Sequence, residues 1–241
     1  MKYTLEVIAF NIESCLIAES AGAHRIELCD NPSDGGTTPS FGFIKEARKN
    51  TSIQLYPIIR PRGGDFHYSN DEFEIMKSDV QVCKTLGCDG VVIGLLNNNG
   101  TVDKERVKEL VAIAYPMGVT FHRAFDRTID AFQALEDIID SGCERILTSG
   151  LRPNALEGAD TIALLIEKAT NRIDIMPGSG IRSNNIIEVL EKTTATSFHS
   201  SARILKNSSM KNINTEMKEE MKSILLDETE VKKIITALSS C

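Results

Sequence analysis

The chain has 241 residues, of which 41% are hydrophobic and 25% charged, and its formal net charge is −7. This length and composition suit one large α/β domain or two small ones, and they exclude a disordered chain, a collagen-like chain and a coiled coil. The negative charge argues against a nucleic acid or an anionic membrane as partner, because both require a basic face on the protein.

Nothing in the sequence predicts a membrane protein or an exported one. No apolar run approaches the roughly 18 residues that a membrane span requires. Glu6 lies where a signal peptide would need its apolar segment, so we expect a cytoplasmic protein. The six cysteines show no CxxC spacing, and in a reducing compartment we predict free thiols.

Short β-branched runs alternate along the chain with stretches of helical periodicity, such as residues 103–115 and 183–192. Strands separated by amphipathic helices indicate parallel pairing through right-handed crossovers. Eight such units in about 250 residues are typical of a (β/α)8 barrel. An open doubly wound sheet is the alternative. The predicted strands, in chain order, are residues 4–8, 25–29, 53–59, 90–93, 119–122, 145–148, 172–176 and 196–199.

We therefore predict an α/β fold, a (β/α)8 TIM barrel in a single domain. The barrel is expected over residues 1–205, and amphipathic helices packed on it over residues 206–241. Internal similarity supports this arrangement, because Gly22, Gly87 and Gly142 each precede a predicted strand in a similar local sequence. We interpret each of them as a glycine that ends a helix in a left-handed conformation.

Arginine is concentrated where the predicted strands end, which is where barrels of this class carry their function. The guanidinium group is a planar, permanently charged fork suited to a carboxylate or a phosphate. Arg60, Arg62 and Arg123 are therefore predicted to bind an anionic substrate. The alternative is that they pair with nearby acids such as Asp65 and Asp126.

Glycine and serine follow the seventh and eighth predicted strands. Barrels commonly hold a phosphate in these two loops, on backbone N–H groups and a helix N-terminus. The predicted phosphate contacts are Gly178, Ser179, Gly180 and Ser200. An ordinary turn between strand and helix is the alternative.

The period of two in the first two runs directs Glu6 and Glu27 into the barrel at similar depths. Isolated burial of a carboxylate is costly, so inward arginine and histidine side chains could neutralise both, or one could have a raised pKa and move protons. Glu27 and His122 are the candidate catalytic residues. We predict that Glu6 and His199 contact the substrate beside them.

Several of these segments closely resemble the CutC family, known as copper homeostasis proteins. The similarity runs in order from residue 3 to about 205 and is most specific at residues 25–29 (RIELC), 60–66 (RPRGGDF), 119–126 (VTFHRAFD) and 176–180 (MPGSG). The resemblance implies a cytoplasmic (β/α)8 barrel that commonly forms homodimers and that has a role in copper binding and copper tolerance. It implies no established reaction.

Two functions follow, and they differ in class. The first is copper handling, with Cu(I) as cofactor or partner and Cys29 as the metal ligand. Cu(I) favours two or three soft ligands together, but Ile8 stands where family members often carry a first-strand cysteine. The second is an enzyme that acts on a small phosphorylated or carboxylated metabolite at the carboxyl-terminal face of the barrel. A third possibility is a scaffold whose rim contacts another protein.

Overall fold

The structure is a computed structural model that describes residues 2–218 and 220–241. Met1 and Glu219, which belong to the predicted barrel and to the predicted terminal helices, lie outside the described residues. The barrel strands are β1 (Thr4–Ala9), β2 (Arg25–Leu28), β3 (Gln54–Pro57), β4 (Gly90–Ile93), β5 (Gly118–Phe121), β6 (Arg145–Thr148), β7 (Asp174–Pro177) and β8 (Ser197–Ser200). The helices that alternate with them are α1 (Ile12–Ser20), α2 (Phe41–Asn50), α3 (Asn70–Thr85), α4 (Lys104–Ala114), α5 (Ala131–Asp140), α6 (Ala159–Ala169) and α7 (Ile186–Thr193).

The strands form two parallel sheets, in the orders β3-β2-β1-β8 and β4-β5-β6-β7. At one seam Ile58 bridges Val92, and the N–H of Ile59 donates to the Val92 carbonyl at 2.8 Å. At the other seam the Ser197 hydroxyl donates to the Asp174 carboxylate at 2.6 Å. The two sheets therefore close into a barrel with helices outside it, which confirms the predicted (β/α)8 fold.

Local sequence signals determine where the helices begin and end. Ser69 caps α3 in a reciprocal capping box with Glu72, which satisfies two N–H groups of the first turn. Gly22, Gly87 and Gly142 have φ of +88°, +75° and +86°, and each lies between a helix and the next strand as predicted. Within the described residues, none of the helices has the length and apolar character needed to span a membrane.

Paired charges fill the interior of the barrel. The Arg25 guanidinium on β2 donates to the Glu6 carboxylate on β1. The Tyr56 ring contacts both Arg25 and Arg145, whose guanidinium carbons are 5.2 and 5.8 Å from its centroid. Arg145 in turn donates to Asp174 at 2.9 Å. Buried charges are tolerated only with such partners, so this network closes the amino-terminal half of the barrel.

Glu6 and Glu27 come close together as predicted, with carboxylate oxygens within 4.8 Å, but they do not share a register position. The strand register pairs Glu6 with Arg25, and it pairs Ile8 with Glu27. Neighbouring strands in a closed barrel are staggered, so equal positions in two sequence runs do not share a level. Glu27 therefore lies nearer the carboxyl-terminal mouth, and Glu6 lies beneath it.

The segment after the barrel differs from the predicted amphipathic helices. β9 (Arg203–Asn207) pairs antiparallel with β10 (Lys222–Leu226), and only then does α8 (Glu228–Ser239) begin. Short apolar runs such as those in β9 and β10 do not distinguish helix from strand by periodicity. α8 does bury one apolar face, which consists of Val231, Ile234 and Leu238.

Gly90 provides the space that the buried Tyr56 ring occupies. A Cβ at residue 90 would overlap the ring carbons of Tyr56. The rigid ring contacts two guanidinium groups and its hydroxyl donates to Glu144 at 2.9 Å, so it has little freedom to move away. We expect Gly90→Ala to lower the free energy of unfolding by about 1–3 kcal/mol, measured by urea denaturation.

Gly42→Ala in the first turn of α2 is the matched control. A Cβ there meets no atom within 4 Å, and alanine favours the helix more than glycine does. This variant should be as stable as the parent chain or slightly more stable. Equal losses in the two variants would contradict the packing argument.

Candidate functional site

A cavity of about 460 Å³ opens where the barrel strands reach their carboxyl ends. Two carboxylates, Glu27 and Asp34, line it, and Ile8, Phe10 and Ile58 contribute apolar wall. Its basic and imidazole side chains outnumber these acids and come from several loops around the mouth. They are Arg60, Arg123, Arg127, Arg203, His122 and His199.

A chain of ionisable side chains leads from the interior to this cavity. Glu6 is fully buried and takes a hydrogen bond from Arg25 on one side. On its other side, Nδ1 of His199 lies 2.8 Å from Glu6 Oε1. The opposite ring nitrogen, Nε2, is 3.7 Å from Glu27 Oε2. Glu6 therefore orients the His199 ring toward Glu27 and the cavity.

The environments of the two carboxyl groups shift their pKa values in opposite directions. Burial alone would raise the pKa of Glu6, but Arg25 and His199 outweigh it and lower this pKa to about 2. Burial raises the pKa of Glu27 to about 7, and the nearby Glu6 carboxylate adds to the rise. Glu6 thus remains ionised, whereas Glu27 gains or loses its proton near neutral pH.

His199 is held between these two groups. Burial opposes protonation of its imidazole, but Glu6 and Glu27 outweigh burial and raise its pKa above the ordinary value. No described residue donates a conventional hydrogen bond to the Glu27 carboxylate, whose nearest charged partner is this imidazole. Glu27 and His199 can therefore exchange a proton with a molecule in the cavity.

Glu6, Glu27 and His199 also form a group with the composition of a metal site. One ligand atom from each lies within 4.8 Å of the others. Both carboxylate oxygens of Glu6, however, are already hydrogen-bonded, one to Arg25 and the other to Nδ1 of His199. Only Glu27 and Nε2 of His199 remain to face an ion, and these are the nitrogen and oxygen ligands of harder cations rather than the sulfur ligands of Cu(I).

Arg60 is a buried cation whose partners are backbone carbonyls. Its guanidinium donates to the carbonyls of Asp34, Gly36 and Gly64 at 2.6, 2.8 and 2.9 Å. Within the described part of the chain no carboxylate lies within 4.0 Å of it, and its Nε has no hydrogen-bond partner. No described carboxylate therefore neutralises its charge, which can attract an anion even though its Nε is itself buried.

His122 has a different chemical state from the one its sequence position predicts. It caps the short 3-10 helix Arg123–Arg127, where the N–H of Ala124 donates to Nδ1 at 3.1 Å. Burial and the charge of Arg60 lower its pKa to about 3. The ring is therefore neutral and carries its proton on Nε2, which has no partner among the described residues. This state favours a hydrogen-bond donor over the predicted acid-base role.

The other two predicted arginines are paired with acids. Arg62 donates to Asp65 at 3.0 Å and to Glu72 at 2.5 Å, and it does not line the cavity. The structure therefore does not bring Arg62 to the site. Arg123 does line the cavity, although its Nε donates to Asp126 at 2.8 Å. It contributes a partly exposed, partly neutralised charge to the rim.

The loops after β7 and β8 contribute backbone rather than side chains. Ser179 and Gly180 line the cavity, and the part of the chain that the structure describes offers no acceptor to their N–H groups. The N–H of Gly178 donates to the Thr148 carbonyl at 2.9 Å. Ser200 is buried and its hydroxyl donates to the Ile181 carbonyl at 2.7 Å, so its neighbour Ser201 lines the cavity instead.

Two further arginines that the sequence places at strand ends, Arg127 and Arg203, line the cavity, and their side chains bind no described residue. Sequence reasoning missed Gly94. Gly94 makes room for the His122 ring, because a Cβ there would overlap it. The arginine-rich strand ends were a signal for Arg127. No motif pointed to Gly94, whose role depends on a contact between neighbouring strands.

Cys29, the predicted metal ligand, lies beneath the cavity and does not line it. It is fully buried among Tyr56, Ile58 and Val92, with Ile8 and Phe10 beside them. None of these neighbours carries sulfur. Burial, reinforced by the Glu27 and Glu6 carboxylates, raises the pKa of the Cys29 thiol well above its ordinary value. A single thiol that resists ionisation is a poor Cu(I) ligand.

Comparison with known proteins gives a consistent relationship. The profile of the CutC family matches residues 3–204. A family protein CutC from Chromobacterium violaceum is 51% identical over 203 residues, which are 84% of this chain and 82% of the relative. The copper homeostasis protein cutC homolog of Homo sapiens is 48% identical over 209 residues, 87% of this chain and 77% of the relative.

A solved structure agrees with these sequence relationships. The crystal structure of a copper homeostasis protein CutC from Streptococcus agalactiae superposes with a TM-score of 0.79 at 33% identity. It covers 83% of this chain and 98% of that one, and β10 and α8 follow the stretch that the family profile matches. The chain therefore belongs to the CutC family.

Proposed function

We propose that the cavity binds a small phosphorylated or carboxylated metabolite and that Glu27 and His199 move protons on it. In this proposal the role in copper homeostasis, which the names of the relatives imply, depends on that molecule and not on a copper ion held by the barrel. Cytoplasmic location and a homodimer remain part of the proposal as predicted.

Arg60 is the observation that carries the proposal. Burial of a guanidinium without a carboxylate partner costs free energy, and a bound anion nearby offsets part of that cost. Ser179 and Gly180 offer backbone N–H groups on another side of the same cavity, as phosphate sites in barrels do. Arg127 and Arg203 add two exposed charges at the entrance.

Binding of Cu(I) by Cys29 is the alternative proposal, and the names of the relatives are what favour it. The surroundings of Cys29 supply no second sulfur ligand. Stoichiometric Cu(I) binding that falls sharply in Cys29→Ser would support it. We expect instead that the parent chain and this variant bind Cu(I) equally weakly in a competition titration with a Cu(I) chelator.

Low concentrations of sulfate should raise the melting temperature through the cavity. An anion at about 100 times its dissociation constant adds about 2.7 kcal/mol of stability, and each kcal/mol is worth about 2–4 °C in a chain of this size. Arg60→Ala should abolish this shift. Arg60 also donates hydrogen bonds to three backbone carbonyls, which its replacement would remove. The Arg127→Ala/Arg203→Ala double variant is therefore a second test that leaves those hydrogen bonds intact.

Arg152→Ala is the control for this experiment. Arg152 is equally exposed, but it lies outside the cavity. Sulfate also stabilises proteins by exclusion from their surface, and this general effect should be the same in all variants. A shift that is equal in the parent chain, the double variant and the control would refute the anion site.

The raised pKa of Glu27 predicts how stability depends on pH. The folded chain holds the Glu27 proton up to about pH 7, whereas the unfolded chain releases it near its ordinary value. Stability should therefore fall as the pH rises between these two values, by on the order of 2–3 kcal/mol. Glu27→Gln should flatten this fall in urea denaturation from pH 5 to pH 8. Parallel profiles for the two proteins would contradict the prediction.

A further inference from the structure

We propose that the cavity enolises a phosphorylated aldehyde or ketone, with Glu27 as the base at the carbon beside the carbonyl group and His122 as the donor to the carbonyl oxygen. This inference rests on the proposed function, because it names the reaction class of the same anion site.

The two residues face the same cavity from distant strands. Glu27 lies on β2, and His122 directly follows β5, three strands further around an eight-stranded barrel. The loops with Ser179 and Gly180 follow β7 and so lie on a third side. A molecule anchored there by its phosphate would extend its carbon chain into the space between the carboxylate and the imidazole.

His122 is fixed as a neutral hydrogen-bond donor. The N–H of Ala124 donates to Nδ1, so the ring proton is on Nε2. No described residue accepts a hydrogen bond from Nε2. The side chain is 96% buried, since its relative exposure is 4%. Triosephosphate isomerase, which enolises a phosphorylated substrate, uses a neutral imidazole of lowered pKa to polarise the carbonyl group.

Glu27 has the surroundings of a general base. Its carboxylate meets the cavity without a hydrogen-bond donor from the described chain, beside the apolar side chains of Ile8 and Ile58. A base works best when its pKa is close to the working pH, and that of Glu27 is about 7. The titratable and charged groups that face it from the surrounding strands are Glu6, Arg25, Tyr56 and His199.

The reaction requires no oxidant and no second substrate. The Glu27 carboxylate takes the proton as the C–H bond breaks, and the electron pair of that bond forms the carbon–carbon double bond. The carbonyl π pair moves to oxygen, where Nε2–H of His122 stabilises the developing charge. Glu27 then returns the proton to the same carbon and the electron pair on oxygen forms the carbonyl group again, so that the carbon-bound proton exchanges with solvent whenever Glu27 has exchanged its own.

The test compares two phosphorylated probes by isothermal titration calorimetry. 2-Phosphoglycolate carries a planar carboxylate that imitates an enediolate, whereas glycerol 3-phosphate carries hydroxyl groups in the same place. We expect 2-phosphoglycolate to bind at least about tenfold more tightly, which corresponds to about 1.4 kcal/mol.

A matched pair of variants isolates the imidazole donor. His122→Asn keeps an oxygen that can cap Ala124 but loses the Nε2 donor, whereas His122→Gln keeps an N–H near that position. The preference for 2-phosphoglycolate should disappear in His122→Asn and return in part in His122→Gln. Both variants should still bind glycerol 3-phosphate, which shows that the site is folded.

The outcomes separate this inference from the proposed function. Equal affinity for the two probes, or a preference that His122→Asn leaves unchanged, would overturn enolisation while the anion site stands. The latter result would assign the preference to the extra negative charge of the probe. If the parent chain binds neither probe nor sulfate, both the inference and the proposed function fail.

Discussion

The buried contact of Glu6 with Arg25 and His199 is the interaction on which the rest of the site depends. It joins β1, β2 and β8 inside the barrel, where an unpaired carboxylate would be costly. Because Arg25 and His199 keep Glu6 ionised, its charge helps to raise the pKa of Glu27. One carboxyl group therefore stays ionised and the other titrates near neutral pH, although both lie in the same barrel.

The arginine side chains at the two ends of the barrel have different partners. In the amino-terminal half, Arg25 and Arg145 are matched by carboxylates, and both contact the Tyr56 ring. At the mouth, Arg60 is held by carbonyls and by the Phe66 ring, and His122 is buried beside it without a charge of its own. A chain with a net charge of −7 thus places locally uncompensated positive charge where the strands end, which is where an anionic molecule would be drawn.

Sequence patterns predicted the barrel because strand and helix periodicities are local properties. The carboxyl ends of the predicted strands then indicated which face of the barrel carries the cavity. The state of individual side chains was not predictable in this way. The role of Arg62 is decided by Glu72, ten residues away, and the neutral ring of His122 depends on its capping bond and on Arg60. The Ser200 hydroxyl, predicted to contact a phosphate, satisfies a buried carbonyl, and it is Ser201 that lines the cavity.

Selenate in a crystal of the parent chain is the most direct test of the anion site, because its anomalous scattering locates the ion without a known substrate. The account predicts an anomalous peak inside the cavity, within hydrogen-bonding distance of Arg60 or of the N–H groups of Ser179 and Gly180. A cavity without a peak, in a crystal where selenate binds elsewhere on the surface, would contradict it.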